Sequence, residues 1–112
     1  MTQYQIQVKT GDLYKAGTDH TIKIEIVGTL GRTRLRTLDS HLKNEFERDQ
    51  KDTFIKEGID VGNIEFIGLL VKPYTFSVIE QPWFVKNIKI RRRKEDKEDY
   101  GEWEKFPIYC WI

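Results

Sequence analysis

The chain has 112 residues, 33% of them charged, with a formal net charge of +1. That length fits one domain with a modest core, and the near-neutral balance argues against the bulk basic field of a nucleic-acid binder. The single cysteine, Cys110, excludes an internal disulfide and fits a reducing compartment. No run approaches the roughly 18 apolar residues of a spanning helix, and no basic-plus-apolar leader is seen, so the chain reads as cytoplasmic, or as a fragment whose leader has been removed.

In chain order, Tyr4, Ile6 and Val8 alternate with Gln3, Gln5, Gln7 and Lys9, and Ile22, Ile24 and Ile26 alternate with Thr21, Lys23 and Glu25. A period of two marks strands with one buried and one wet face. Shorter strands are expected at Thr33 to Leu38 and at Thr53 to Lys56, with a single helical turn considered between Leu38 and Phe46. Ile64 to Val71 is apolar on both parities and reads as a central strand. Trp83 to Ile90 follows, with Lys86 and Lys89 outward, and Glu102 to Ile108 closes the set. Turn residues such as Thr10-Gly11-Asp12, Gly28-Thr29-Leu30-Gly31, Gly62-Asn63 and Tyr100-Gly101 separate the runs. Seven or eight short strands with regular turns predict a single-domain, all-β sandwich. At the start of its strand, Trp83 is expected in the core.

The run Arg91-Arg92-Arg93-Lys94-Glu95-Asp96-Lys97-Glu98-Asp99 has two readings. It is either a solvated hairpin whose acids neutralise its bases locally, or a patch for anionic lipid or a partner. Catalytic chemistry is not legible. The two histidines, His20 and His41, form no metal-ligand spacing, and no Cys-x-x-Cys, Gly-x-Ser-x-Gly or phosphate-cradling loop occurs. The chain is therefore expected not to be an enzyme by itself.

Several segments converge on one resemblance: Tyr4-Gln5-Ile6-Gln7-Val8-Lys9-Thr10-Gly11, then Ala16-Gly17-Thr18-Asp19, Asn44-Glu45-Phe46-Glu47-Arg48, Asp52-Thr53-Phe54, Val61-Gly62-Asn63-Ile64, Pro82-Trp83-Phe84-Val85 and a closing Phe106-Pro107-x-Tyr109-x-Trp111. Together they resemble the PLAT (polycystin-1, lipoxygenase, alpha-toxin) domain over essentially the whole chain. The closing motif resembles the end of the N-terminal domain of animal-type lipoxygenases. The resemblance implies an eight-stranded antiparallel β-sandwich. Its implied role is non-catalytic: regulating and targeting a fatty-acid dioxygenase to membranes, with calcium, while packing on the catalytic domain. The iron of such an enzyme would lie in that other domain.

The resemblance also implies site residues. Calcium takes six to eight oxygen ligands, and the matching positions are Gly17, Thr18 and Asp19 in one loop and Asn44, Glu45 and Glu47 in another, with Asp39 as an extra. His20 stands where some relatives carry a second acid, which lowers the negative charge of the first loop. The implied membrane-binding side chains are Leu13 and Tyr14 in the first loop and Tyr74 and Phe76 in the loop after Ile64 to Val71. These rings suit an interface and support reversible attachment to phospholipid. Tyr109 and Trp111, in the apolar tail, are expected to face a neighbouring domain. The alternative is a protein-interaction module that uses the same sandwich without calcium or lipid.

Overall fold

The structure is a computed structural model that describes residues 1–13, 17, 21–39, 45–72 and 83–112. Among these are eight strands: β1 (Thr2–Thr10), β2 (Thr21–Gly28), β3 (Gly31–Arg32), β4 (Arg36–Thr37), β5 (Lys51–Gly58), β6 (Ile64–Lys72), β7 (Phe84–Lys94) and β8 (Glu104–Trp111). They form two antiparallel sheets. One has the order β5-β1-β7-β8, and in the other β2 pairs with β3, β4 and β6. The sandwich predicted from the alternating pattern is the fold observed. The single helical turn considered near Leu38 falls mainly on 40–44, outside the described residues.

The pleat explains the core. Tyr4, Ile6 and Val8 of β1 and Ile22, Ile24 and Ile26 of β2 are all buried, while their sequence neighbours are only partly so. Phe54, Val85, Ile88 and Ile90 complete the inner face of the sheet that contains β1, with Phe46, Val61 and Trp83 plugging the ends. Each such side chain contributes about 1.5–3 kcal/mol on burial. Tyr4 also keeps its polar tip satisfied. Its hydroxyl donates to the Ile59 carbonyl at 2.6 Å and accepts from the Val61 N–H at 3.2 Å, and burial raises its pKa.

Two expectations need correction. The strand predicted from Thr33 to Leu38 is interrupted. β3 and β4 pair the same strand, β2, but the register slips by one residue between Val27↔Arg32 and Ile24↔Arg36. Thr33 takes up the slip, its N–H bonded to the Ile26 carbonyl and its hydroxyl accepting from the Ile26 N–H, as in a bulge. The run from Ile64 to Val71 is not buried on both sides. Ile67, Leu69 and Val71 pack on the core, whereas Phe66 and Leu70 are 58% and 47% exposed.

Gly28 ends β2 where the 61–63 turn crosses it, through Thr29 N–H to Asn63 carbonyl and Leu30 N–H to Val61 carbonyl bonds of 3.0 and 2.8 Å. A Cβ there would stand 2.4 Å from the Val61 carbonyl oxygen and 2.5 Å from that of Asn63. Gly28→Ala should therefore force the turn off the strand and cost about 1–3 kcal/mol, read as a lower urea midpoint.

Candidate functional site

One end of the sandwich gathers the ends of β1, β7 and β8 and the segment before β5. The Thr10 N–H bonds the Gln50 carbonyl, the Gly11 N–H the Phe84 carbonyl, and the Asp49 N–H the Gly11 carbonyl, at 3.0, 2.8 and 3.1 Å. The chain terminus joins them, since Ile112 and Trp83 exchange backbone hydrogen bonds of 2.8 and 3.2 Å. Beneath this end lies Trp83, fully buried, its Nε1–H donating to Thr10 Oγ1 at 3.0 Å.

The second loop is built around Phe46. Its ring is 3% exposed and lies 5.0 Å edge-on from Trp83 and 5.7 Å from Phe54. Its backbone is left-handed, with φ 61°, a conformation that a bulky residue adopts only where surroundings enforce it. The enforcing group is Asp52, 1% exposed. One carboxylate oxygen accepts from the Phe46 N–H at 2.9 Å and the other from the Gln50 amide at 2.6 Å. With Phe46 drawn inward, its neighbours Glu45 and Glu47 sit at the surface, the first half-buried and the second exposed. Asp52 was missed as a site residue, although it was readable: it shares the inward parity of Phe54 in β5.

The first loop meets the second at Gly17. A Cβ on Gly17 would lie 2.9 Å from the Phe46 carbonyl oxygen and 3.1 Å from both the Glu47 Cα and the Arg48 nitrogen. Two ion pairs bracket the junction, Arg48 to Asp12 at 3.0 Å and Lys9 to Asp49 at 2.8 Å. The hydrogen bond from Lys9 holds the Asp49 carboxyl below its ordinary pKa. Of the implied calcium ligands, Gly17 lies against the 46–48 backbone, the segment that also carries Glu45 and Glu47. Thr18, Asp19 and Asn44 lie outside the described residues, as do Tyr14, Tyr74 and Phe76 of the implied membrane set. Among the described residues no group of three or more acid, histidine or cysteine side chains converges as a metal cluster. Leu13 is 44% exposed at this end. Tyr109 and Trp111 are exposed along β8, and Trp111 stands edge-on to Phe84 with centroids 5.3 Å apart.

A cleft of about 520 Å³ at the opposite end is lined by Asp60, Arg92, Lys97 and Tyr100, among others. Its Arg92 is already committed to Asp60 and Glu104, each at 3.6 Å.

The model of the PLAT/LH2 domain matches residues 4–112. The chain belongs to that family. This PLAT domain is 36% identical over 109 residues to an allene oxide synthase-lipoxygenase protein of Plexaura homomalla, a match covering 97% of this chain and 10% of that one. It is 31% identical to the human lipoxygenase homology domain-containing protein 1, over 98% of this chain and 5% of that protein. The chain thus spans a tenth or less of the length of these relatives. Among solved structures, a lipoxygenase in complex with arachidonate superposes with TM-score 0.84 at 34% identity, covering all of this chain and 15% of that one. A coral 8R-lipoxygenase, described as calcium-activated through a C2-like domain, gives 0.77 at 33% identity, over 98% of this chain and 15% of that one. A calcium-dependent 11R-lipoxygenase gives 0.76 at 32%, over 99% and 16%. The sandwich supplies a rigid base on which the loop end sits.

Proposed function

We propose that this PLAT domain is the non-catalytic regulatory and membrane-targeting module of a lipoxygenase, a cytoplasmic and peripheral-membrane protein that docks on phospholipid with calcium and packs on its own catalytic domain. The observation that carries the reading is the seat of Gly17 against Phe46, Glu47 and Arg48, which joins the two ligand-bearing loops. Similarity to the calcium-activated 8R-lipoxygenase supports it.

The residues suit a hard cation. Gly17 and Thr18 would offer backbone oxygens, Asn44 an amide oxygen, and Asp19, Glu45 and Glu47 carboxylates. When bound, calcium supplies the positive charge that offsets these acids and attracts a lipid phosphate. The chain's own part is to seat the two loops against each other and to present Leu13, Tyr14, Tyr74 and Phe76 to the bilayer. Inserted rings and leucine give a few kcal/mol at about 1.5–3 kcal/mol for each fully buried side chain, enough for reversible attachment. Tyr109 and Trp111 are assigned to the catalytic-domain contact, since both are exposed near the end of β8, where Trp111 meets Phe84. Iron would belong to that other domain.

Vesicle co-sedimentation with calcium and with chelator tests the reading. Binding that needs calcium supports it. Equal binding in both removes the calcium role, and no binding in either removes the membrane role. A second reading, a protein-interaction module, is favoured by the exposed apolar residues of β8. It predicts that a partner is lost on truncating the last seven residues while vesicle binding is unchanged.

A further inference from the structure

The pleat sorts the Arg91-Arg92-Arg93 run by face. Arg92, on the inward parity with Ile88 and Ile90, is paired with Asp60 and Glu104. Arg91 and Arg93, on the outward parity with Lys89, are held by neutral groups instead. The Arg91 guanidinium lies 4.5 Å from the Trp103 ring centroid and 4.8 Å from that of Tyr100, and it donates to Gln5 Oε1. Arg93 lies 5.2 Å from the Tyr100 ring and donates to Gln3 Oε1 at 2.6 Å. Aromatic faces and amides orient a guanidinium without cancelling its charge. Of the acids next in sequence, Glu95 pairs with the Met1 ammonium at 2.7 Å, and among the described residues no carboxylate is in ion-pair contact with Arg91 or Arg93.

The rest of the outer face of β5-β1-β7-β8 has the same sign. Lys89 stands directly opposite Lys105 across the β7–β8 ladder, and Lys9 opposite Lys51 across β1–β5. Like charges facing each other across strands are destabilising. Lys9 is relieved by Asp49, but among the described residues no carboxylate lies within ion-pair distance of Lys51, Lys89 or Lys105. Glu57 is the only acid at an outward strand position of this sheet, and it sits opposite Gln3 on the edge strand β5. In a chain of net charge +1 this sheet face thus carries more cations than acids, at a cost in stability.

We infer that this outer face is a calcium-independent docking surface for an anionic phospholipid bilayer. The cations spread over a sheet four strands wide, about 14 Å across at the usual strand spacing, and run about 13 Å along β7 from Lys89 to Arg93. A flat, distributed array matches a plane of headgroups; a single small anion would need donors converging on one point. Trp103, 37% exposed beside Arg91, and Ile55, 54% exposed on β5, suit the headgroup boundary. The face reaches the loop end at Lys9 and Lys51 and extends away from it through Lys89, Arg91, Arg93 and Lys105, which would add charge-driven affinity and orientation to the attachment proposed above. It rests on the membrane-targeting part of that reading and not on calcium.

The test uses the 112-residue chain in chelator, with vesicles of phosphatidylcholine alone and with about 30% phosphatidylserine, near the composition where surface potential is appreciable. The chain should bind the anionic vesicles selectively and release them as salt rises. The triple variant Lys51→Gln, Lys89→Gln, Lys105→Gln should bind roughly 100-fold more weakly, at about fivefold for each charge. Its thermal midpoint should hold or rise, because the repulsion is relieved, so weaker binding will not reflect unfolding. The inference is overturned by unchanged binding of the variant, by binding of polyglutamate but not vesicles, or by wild-type binding only with calcium. The last leaves the calcium reading intact. No vesicle binding under either condition removes both.

Discussion

Trp83→Ala is expected to lower the stability of the domain by about 3–5 kcal/mol, the range for removing a large aromatic from a packed core. Most domains hold only about 5–15 kcal/mol in all, so the variant should lose much of its cooperative transition at ambient temperature. The cause is local and specific. Trp83 has no exposed surface, meets the edge of Phe46, donates to Thr10 and pairs its backbone with Ile112. The alanine would leave a cavity under the loop end and a buried hydroxyl without its donor. Trp83→Phe separates the two effects. It keeps most of the ring packing and loses the indole hydrogen bond, for about 1–2 kcal/mol of that bond's own contribution plus its unsatisfied partner. Urea denaturation reads both. A loss below about 1 kcal/mol for the alanine variant would mean that the loop end closes without the tryptophan.

Asp52→Ala should cost about 2–4 kcal/mol, because it strands the Phe46 N–H and removes a charged acceptor from a buried position. The second consequence is functional. Asp52 holds the left-handed backbone at Phe46 that sets Glu45 and Glu47 on either side of an inward ring. Without it the two glutamates lose their fixed spacing, and calcium affinity under the proposed function should fall on the order of tenfold, equivalent to about 1.4 kcal/mol. Asp52→Asn keeps the shape and one acceptor oxygen, and should lose less of both. An alanine variant that is destabilised as expected but binds calcium normally would detach this strut from the site.

The sequence was most legible where one face is wet. In β1 and β2 the strict alternation of isoleucine or valine with glutamine, lysine or glutamate assigns each side chain to a face, and the burial follows it. It was least legible where pattern and environment separate. Phe66 and Leu70 made β6 look enclosed, yet hydrophobicity cannot say whether a sheet's second face is covered, and these two are exposed. The β3–β4 slip could not be read, because a bulge depends on the partner strand and Thr33 looks like any strand threonine. At the site, the loop motifs pointed to Gly17, Glu45 and Glu47, but not to their support. Asp52 could be found only by asking why a carboxylate occupies an inward position. The sign segregation on β7 was also latent, since Lys89, Arg91 and Arg93 share one parity. Sequence could not say which of the three arginines the nearby acids would pair, and among the described residues only Arg92 meets any, Asp60 and Glu104.

Calorimetric titration of calcium into the chain, beside Asp19→Asn and Glu47→Gln, tests most directly whether the two joined loops form one cation site. The proposed function predicts saturable binding in the weak range for calcium modules, about 10⁻⁵ to 10⁻³ M, reduced by each variant with the thermal midpoint of the calcium-free chain unchanged. No saturable binding by the wild-type chain, or binding equal in all three, would contradict it.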